Sequence, residues 1–147
     1  MKTDIRRAGA DDLDALAVLF DAYRQFYGQR SNVMGARAFL AERLALDESV
    51  LLVAASGSQS VGFVQLYPLF SSVRMGRVWV LNDLYVDPAA RRSGVARALL
   101  DAACAFARER RALGLQLETG PDNHHAQALY RASGWTQGTN LHFHFDF

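Results

Sequence analysis

The stretch from Val78 to Arg110 constrains the fold more than any other. It reads as a strand, a turn and a helix. Val78 to Val86 is rich in β-branched and aromatic residues and is followed by Pro88, which cannot donate to a ladder or extend one. After the turn at Asp87 to Ala90, Val95, Leu99, Ala102, Ala103 and Phe106 recur at helical spacing and predict a helix to Arg110. Gly114 and the segment Leu115 to Thr119 that follows it then predict a second strand. A strand–helix–strand unit joins parallel strands through a right-handed crossover. The junction before the helix carries chemistry. Gly94 lets a ligand approach the backbone closely. The first helical turn offers unpaired N–H groups and the positive end of the dipole, which suit a phosphate, and Arg91 and Arg92 add charge beside them.

The remaining segments extend this unit in both directions. Thr3 to Arg7 is a short first strand. Asp11 reads as an N-cap, with Asp12 and Asp14 in the first turn of a helix whose apolar face is Leu13, Leu16, Phe20, Tyr23 and Tyr27. Ser31 to Gly35 reads as a break before a second helix with Phe39, Leu40 and Leu44 on its apolar side. Val50 to Ala55 is fit for a buried strand. The turn at Gly57 to Ser60 leads to its partner, Val61 to Tyr67, and Pro68 to Gly76 reads as a loop. Beyond a loop at Gly120 to Asn123, Ala126 to Ala132 predicts a helix ended by Gly134 as a left-handed C-cap. Trp135 then opens one strand, and the alternation in Leu141 to Phe147 marks the last. The sum is a single α/β domain over 1–147, with a mixed sheet that is antiparallel first and parallel at the ligand junction.

Composition narrows the function. A formal net charge of +1 gives no electrostatic case for nucleic acid or membrane surfaces. Lys2 is the only lysine and no Gly-x-Gly-x-x-Gly follows a strand, which argues against a nucleotide-binding domain. The one cysteine, Cys104, cannot form an internal disulfide, in keeping with a reducing cytoplasm, and reads as helix filler. No apolar run follows Lys2, so neither a signal peptide nor a membrane span is expected. His142 and His144 share one strand face and His124-His125 lies in a loop. No cysteine or carboxylate pair accompanies them, and no metal site is expected.

The pattern Arg91-x-x-Gly94-x-Ala96, following Asp83-Leu84-Tyr85-Val86-Asp87-Pro88, resembles the acetyl-CoA pyrophosphate loop of the GNAT N-acetyltransferases. A second segment is similar to the family's next strand and helix: Leu117-Glu118-Thr119, Asn123, Ala126, and Ala128 through Tyr130 to Trp135. The two lie in the family's order and spacing, and the resemblance spans nearly the whole chain. It implies the GNAT fold, with acetyl-CoA as acetyl donor. The pyrophosphate would lie on the amides of Arg92, Ser93, Gly94, Val95 and Ala96, beside Arg91, with Ala96 standing where many members carry glycine. The pantetheine arm would pair with Leu84, Tyr85 and Val86, where a bulge would free an N–H for the thioester oxygen. Asn123 would be a further cofactor contact. Tyr130 occupies the position of the family's acid, a group still protonated at neutral pH that can donate to the departing sulfur.

For a general base, Asp83 is favoured over Glu118. Its neighbour Asn82 is expected to point to the opposite face, as strand residues alternate. Tyr23, Phe26 and Tyr27 belong either to the core or to the cleft. The resemblance is nearest to the diamine and polyamine branch and its bacterial relatives, in which acceptor choice is expected from Tyr23 to Met34 and Leu69 to Gly76. These segments are aromatic and polar rather than heavily acidic, so a small primary amine is the expected acceptor, with a protein lysine or N-terminus as the alternative. A CoA-binding module without turnover would lack the acid, and Tyr130 is present. A homodimer is expected from family habit and from the apolar last strand, which needs cover.

Overall fold

In the computed structural model, residues 2–147 are described. Five strands form one sheet in sequence order: β1 (Asp4–Arg7), β2 (Val50–Ser56), β3 (Gln59–Ser71), β4 (Gly76–Val86) and β5 (Gly114–Gln116). The first four pair antiparallel, and β5 lies parallel to β4. Four helices accompany the sheet: α1 (Leu13–Phe26), α2 (Val33–Ala45), α3 (Val95–Glu109) and α4 (His124–Ala132). This is the mixed α/β architecture expected from the sequence, with the parallel pair formed across α3.

The alternation of the strands divides the core in two. Leu51, Val53 and Phe63 turn toward α1 and α2, where they meet Leu16, Phe20 and Leu40. Val50, Leu52, Ala54, Val64 and Leu66 turn to the other face and meet Leu99, Leu100 and Ala103 of α3. Both faces of β2 and β3 are therefore covered, which explains their continuous apolar runs. Among the described residues no helix is long and apolar enough to cross a membrane.

Several boundaries differ from the sequence reading, each for a local reason. The turn at Ala10–Asp12 precedes α1, and Asp12 rather than Asp11 accepts from the Gly9 N–H, at 2.9 Å. Arg6 grips the same carboxylate at 2.7 and 2.9 Å and holds it down to about 2. The expected break at Ser31 to Gly35 already contains the start of α2, because the Asn32 side chain accepts from the Gly35 N–H at 2.9 Å. The expected loop at Pro68 to Gly76 shrinks to a tight turn, and β3 continues to Ser71. Pro68 is tolerated because the β2 ladder ends at Val50↔Leu66, leaving one edge of β3 open beyond it. The two strands expected at Trp135 and at Leu141 to Phe147 are not formed. Leu141, Phe143, Phe145 and Phe147 are 82–117% exposed. Their alternation is a strand pattern without a partner strand among the described residues.

Asp21 locks α1 to α2. It is buried on α1 and accepts from the Asn32 N–H at 2.6 Å, the Ser31 hydroxyl at 2.7 Å and the Gln25 amide at 3.0 Å. The Asn32 and Ser31 bonds hold its carboxyl below the ordinary range. The stabilisation is therefore complete above about pH 4 and fades as acid protonates the group. Asp21→Ala removes three hydrogen bonds to a buried carboxylate, a loss of about 3 kcal/mol, which for this chain length lowers Tm by roughly 6–12 °C. Thermal melts at neutral pH check this, and the difference should narrow in acid.

Candidate active site

The ladders on either side of β4 break at nearly the same place. On the β3 side, Gln65 pairs with Asp83 but the next residue, Leu66, pairs with Leu81, so Asn82 is an extra residue. That is a β-bulge, and it lies at Asn82 rather than at Leu84 to Val86, where pairing with β3 is regular. On the β5 side, pairing stops at Val80↔Gln116. Beyond that point the edge of β4 is open and β5 ends, also short of the expected Thr119. The result is a cleft of about 490 Å³ with Val80, Leu81, Asn82 and Leu84 along one wall. Glu118, Thr119, Gly120 and Tyr130 form the opposite wall, and Tyr23 and Tyr27 of α1 close one side.

The bulge corrects one expectation about the carboxylates. Asn82 and Asp83 do not diverge: the Asn82 amide donates to the Asp83 carboxylate at 3.1 Å. Asp83 is 4% exposed and is not part of the cleft lining. It sits beneath, accepting from the Gln65 amide, while the Tyr23 hydroxyl donates to the Asn82 carbonyl at 3.2 Å. Burial raises the Asp83 carboxyl above its ordinary value, against the opposing hydrogen bonds from Gln65, Asn82 and Tyr23. The Gln65 carbonyl oxygen is buried without a donor.

A raised carboxyl disfavours the folded state more as pH rises from its unfolded value through its folded one. Asp83→Asn, neutral at all pH, should therefore melt a few degrees above the parent at neutral pH. The advantage should disappear in acid, where the parent is also neutral.

Glu118 follows β5 and faces the cleft directly. Its carboxylate lies 3.2 Å from His142 Nδ1. Tyr130 projects from α4, half-buried, with its ring tilted against Trp135 at 6.2 Å. Burial, with Tyr27 adding a little, pushes its hydroxyl above the ordinary tyrosine value. Tyr23 and Tyr27 line the cleft, whereas Phe26 does not, and neither does any residue of Leu69 to Gly76. Among the described residues no three His, Cys, Asp or Glu side chains gather as a metal site.

The anion-ready loop lies between β4 and α3. Arg92 and Gly94 adopt left-handed backbone, with φ of 63° and 81°, and Gly94 caps α3. The first bond of the helix runs from the Ala98 N–H to the Gly94 carbonyl at 3.0 Å, so the amides of Val95, Ala96 and Arg97 have no helical acceptor. A Cβ at Gly94 would meet no atom within 4 Å, so the space before those amides is open. The Ser93 hydroxyl donates to the Ala90 carbonyl at 2.5 Å and steadies the turn. Arg91 is tied back to β4: its Nε donates to the Val86 carbonyl at 3.0 Å, and its guanidinium lies over the Tyr85 ring at 5.5 Å. Asn123 caps α4, its side-chain oxygen accepting from the Ala126 N–H at 3.3 Å, which leaves its amide N–H groups to a ligand. An open strand edge running to a nest of free amides fits a ligand with an amide-bearing arm and a pyrophosphate.

Residues 16–135 match the model of the Acetyltransferase (GNAT) family. The chain belongs to that family. It is 46% identical over 138 residues to the uncharacterized N-acetyltransferase YhfO of Bacillus subtilis strain 168, covering 94% of this chain and 93% of that one. A crystal structure of a probable acetyltransferase shares 40% identity and superposes with a TM-score of 0.93, covering 98% and 97% of the two chains. An aminoglycoside N-acetyltransferase in complex with CoA shares the fold at 20% identity, with a TM-score of 0.83 over 99% and 95%. The relatives span aminoglycoside, ribosomal-protein and uncharacterized branches and do not single out diamines or polyamines. The acetyltransferase uses acetyl-CoA as its acetyl donor.

Sequence reasoning missed Gln65, Thr119 and Gly120. A glutamine inside the apolar run Val61 to Leu66 was the available signal for the first, since a buried amide needs a polar partner. The other two show themselves only once β5 is seen to stop at Gln116.

Proposed function

We propose that this acetyltransferase moves the acetyl group of acetyl-CoA to a small primary amine, by direct attack within the cleft between β4 and β5. The observation that carries the reading is the presence of Tyr130 and Glu118 on one cleft wall, facing the aromatic side made by Tyr23 and Tyr27. Tyrosine faces attract an ammonium group, and one cleft carboxylate suits one amine better than a highly cationic chain. In this reading the open edge from Leu84 to Val86 orients the pantetheine arm, and Arg91, Arg92, Ser93, Gly94, Val95 and Ala96 hold the pyrophosphate. Asn123 contributes an N–H. Glu118, steadied by His142, draws in the amine and takes its proton. Asp83 acts from beneath the floor, holding Asn82 and Tyr23 in place and biasing the local potential. The reaction needs the amine neutral at attack, so its rate should rise with pH toward the amine's own pKa.

The test compares kcat/KM over a panel of monoamines, diamines, spermidine, aminoglycosides and a lysine peptide. A small amine should lead. A lysine peptide preferred over every small amine would move the acceptor to protein. Run on the leading amine, Glu118→Gln should lose about 10²-fold in kcat/KM, most at low pH, and Asp83→Asn far less. The reverse ranking would return the base role to Asp83.

The same reading takes residues 1–147 as one domain at work in the cytoplasm, in keeping with the free Cys104. It also takes the chain as a homodimer, since Leu141, Phe143, Phe145 and Phe147 need a cover that this chain does not provide. Light scattering should give a dimer mass, and a chain ending at Asn140 should give a monomer. A monomeric full-length chain would remove the dimer.

A further inference from the structure

A second cavity, of about 220 Å³, lies on the α3 face at the opposite end of β4 from the cleft. It is lined by three arginines from three elements: Arg7 of β1, Arg77 of β4 and Arg110 just past α3. Among the described residues none of the three is ion-paired, whereas Arg6, Arg24, Arg37 and Arg43 each meet a carboxylate. Aromatic rings hold them instead. Arg110 lies 3.7 Å and Arg7 5.8 Å from the centre of Phe106, and Arg77 lies 4.2 Å from Phe70 and 5.4 Å from Trp79. Stacking of this kind fixes a guanidinium while leaving its N–H edge uncommitted.

Two buried polar groups in the same lining lack partners. The Trp79 indole N–H and the Ser49 hydroxyl have none, and the two residues are 8% and 2% exposed. Buried donors without acceptors are rare enough to require an explanation. Asp47 supplies the single carboxylate of the lining and pairs with none of the arginines, so the pocket keeps an excess of positive charge. A set of donors this strongly biased selects a ligand that only accepts.

We propose that this pocket binds a doubly charged oxyanion, carried as a phosphate or as a pair of carboxylates, at a site separate from the acetyl-CoA cleft. Arg77 and Arg110 grip it with charge-assisted bonds, Arg7 closes the rim, and the Trp79 N–H and Ser49 hydroxyl gain the acceptor they lack. Because Trp79 and Arg77 lie on the strand that forms the cleft wall, the ligand rests on the same β4 as the active site.

The Trp79 indole N–H gives a direct readout. Its NMR resonance is distinguished from that of Trp135 by a Trp135→Phe variant. Inorganic phosphate and succinate are titrated at constant ionic strength with CoA saturating, so that the loop at Arg91 to Ala96 is already filled. A saturable shift of the Trp79 resonance is expected with at least one of the two. Phosphate alone points to a phosphate ligand and succinate alone to a dicarboxylate. Arg77→Gln/Arg110→Gln should weaken binding at least about tenfold and leave CoA affinity unchanged. Should that double variant fail to fold, Arg7→Gln on the exposed rim should weaken it by a smaller factor. No saturable shift with either anion, or equal shifts in parent and folded variants, would overturn the site.

Discussion

Tyr130→Phe should lower kcat by about 10²–10⁴-fold while leaving the KM for acetyl-CoA nearly unchanged. The ring is half-buried against Trp135, and phenylalanine preserves that packing, so the variant removes only the hydroxyl. Burial raises the hydroxyl above the ordinary value near ~10, so it stays protonated at neutral pH. A thiol near ~8.5 is the stronger acid, so complete transfer of the proton to sulfur would run uphill. The hydroxyl therefore serves chiefly as a hydrogen-bond donor to the growing thiolate. The proton shed by the amine completes the exchange. Such a donor matters in the transition state and little before it, so the loss falls on kcat. Steady-state kinetics at several pH values, with melts to confirm folding, give the result. An unchanged kcat would reduce Tyr130 to a packing residue.

Gly94→Val should raise the KM for acetyl-CoA about 10- to 100-fold and change kcat much less. The residue caps α3 with φ of 81°, a conformation that costs an ordinary L-residue about 1–2 kcal/mol and a β-branched one more. No atom lies within 4 Å of where its Cβ would be, so the variant clashes with nothing in the protein itself. The new side chain stands instead where the pyrophosphate must come close to the amides of Val95 and Ala96, and strain would turn those amides aside. The damage is to donor binding, so saturating acetyl-CoA should recover most of the rate. A lowered kcat with normal KM would mean that the loop does not bind the pyrophosphate.

How far the sequence reveals this arrangement depends on whether the determining contacts are local. The unit from Val78 to Arg110 was legible because its alternation, Pro88, Gly94 and the α3 stripe are all near neighbours in the chain. The bulge at Asn82 was not, because it exists only in the pairing of β4 with β3, which sequence alternation does not report. That one residue moves Asp83 out of the cleft and joins it to Asn82, leaving Glu118 as the carboxylate that faces the cleft. The choice between Asp11 and Asp12 turned on Arg6, which lies on the preceding strand. Leu141 to Phe147 has the alternation of a strand and stays unpaired, because pattern specifies a face and not a partner. Tyr130, the loop at Arg91 to Ala96 and the open side of β4 were legible together only through resemblance to a family.

The most direct test follows CoA thiol release and the intact mass of the protein, first with acetyl-CoA alone and then with the leading small amine added. Direct attack predicts negligible release and unmodified protein before the amine is added. Catalytic release and acetylated amine should follow its addition, with both abolished or strongly slowed in Tyr130→Phe. An acetylated protein that hands its group on, or no release with any amine in the panel despite tight acetyl-CoA binding, would contradict the account.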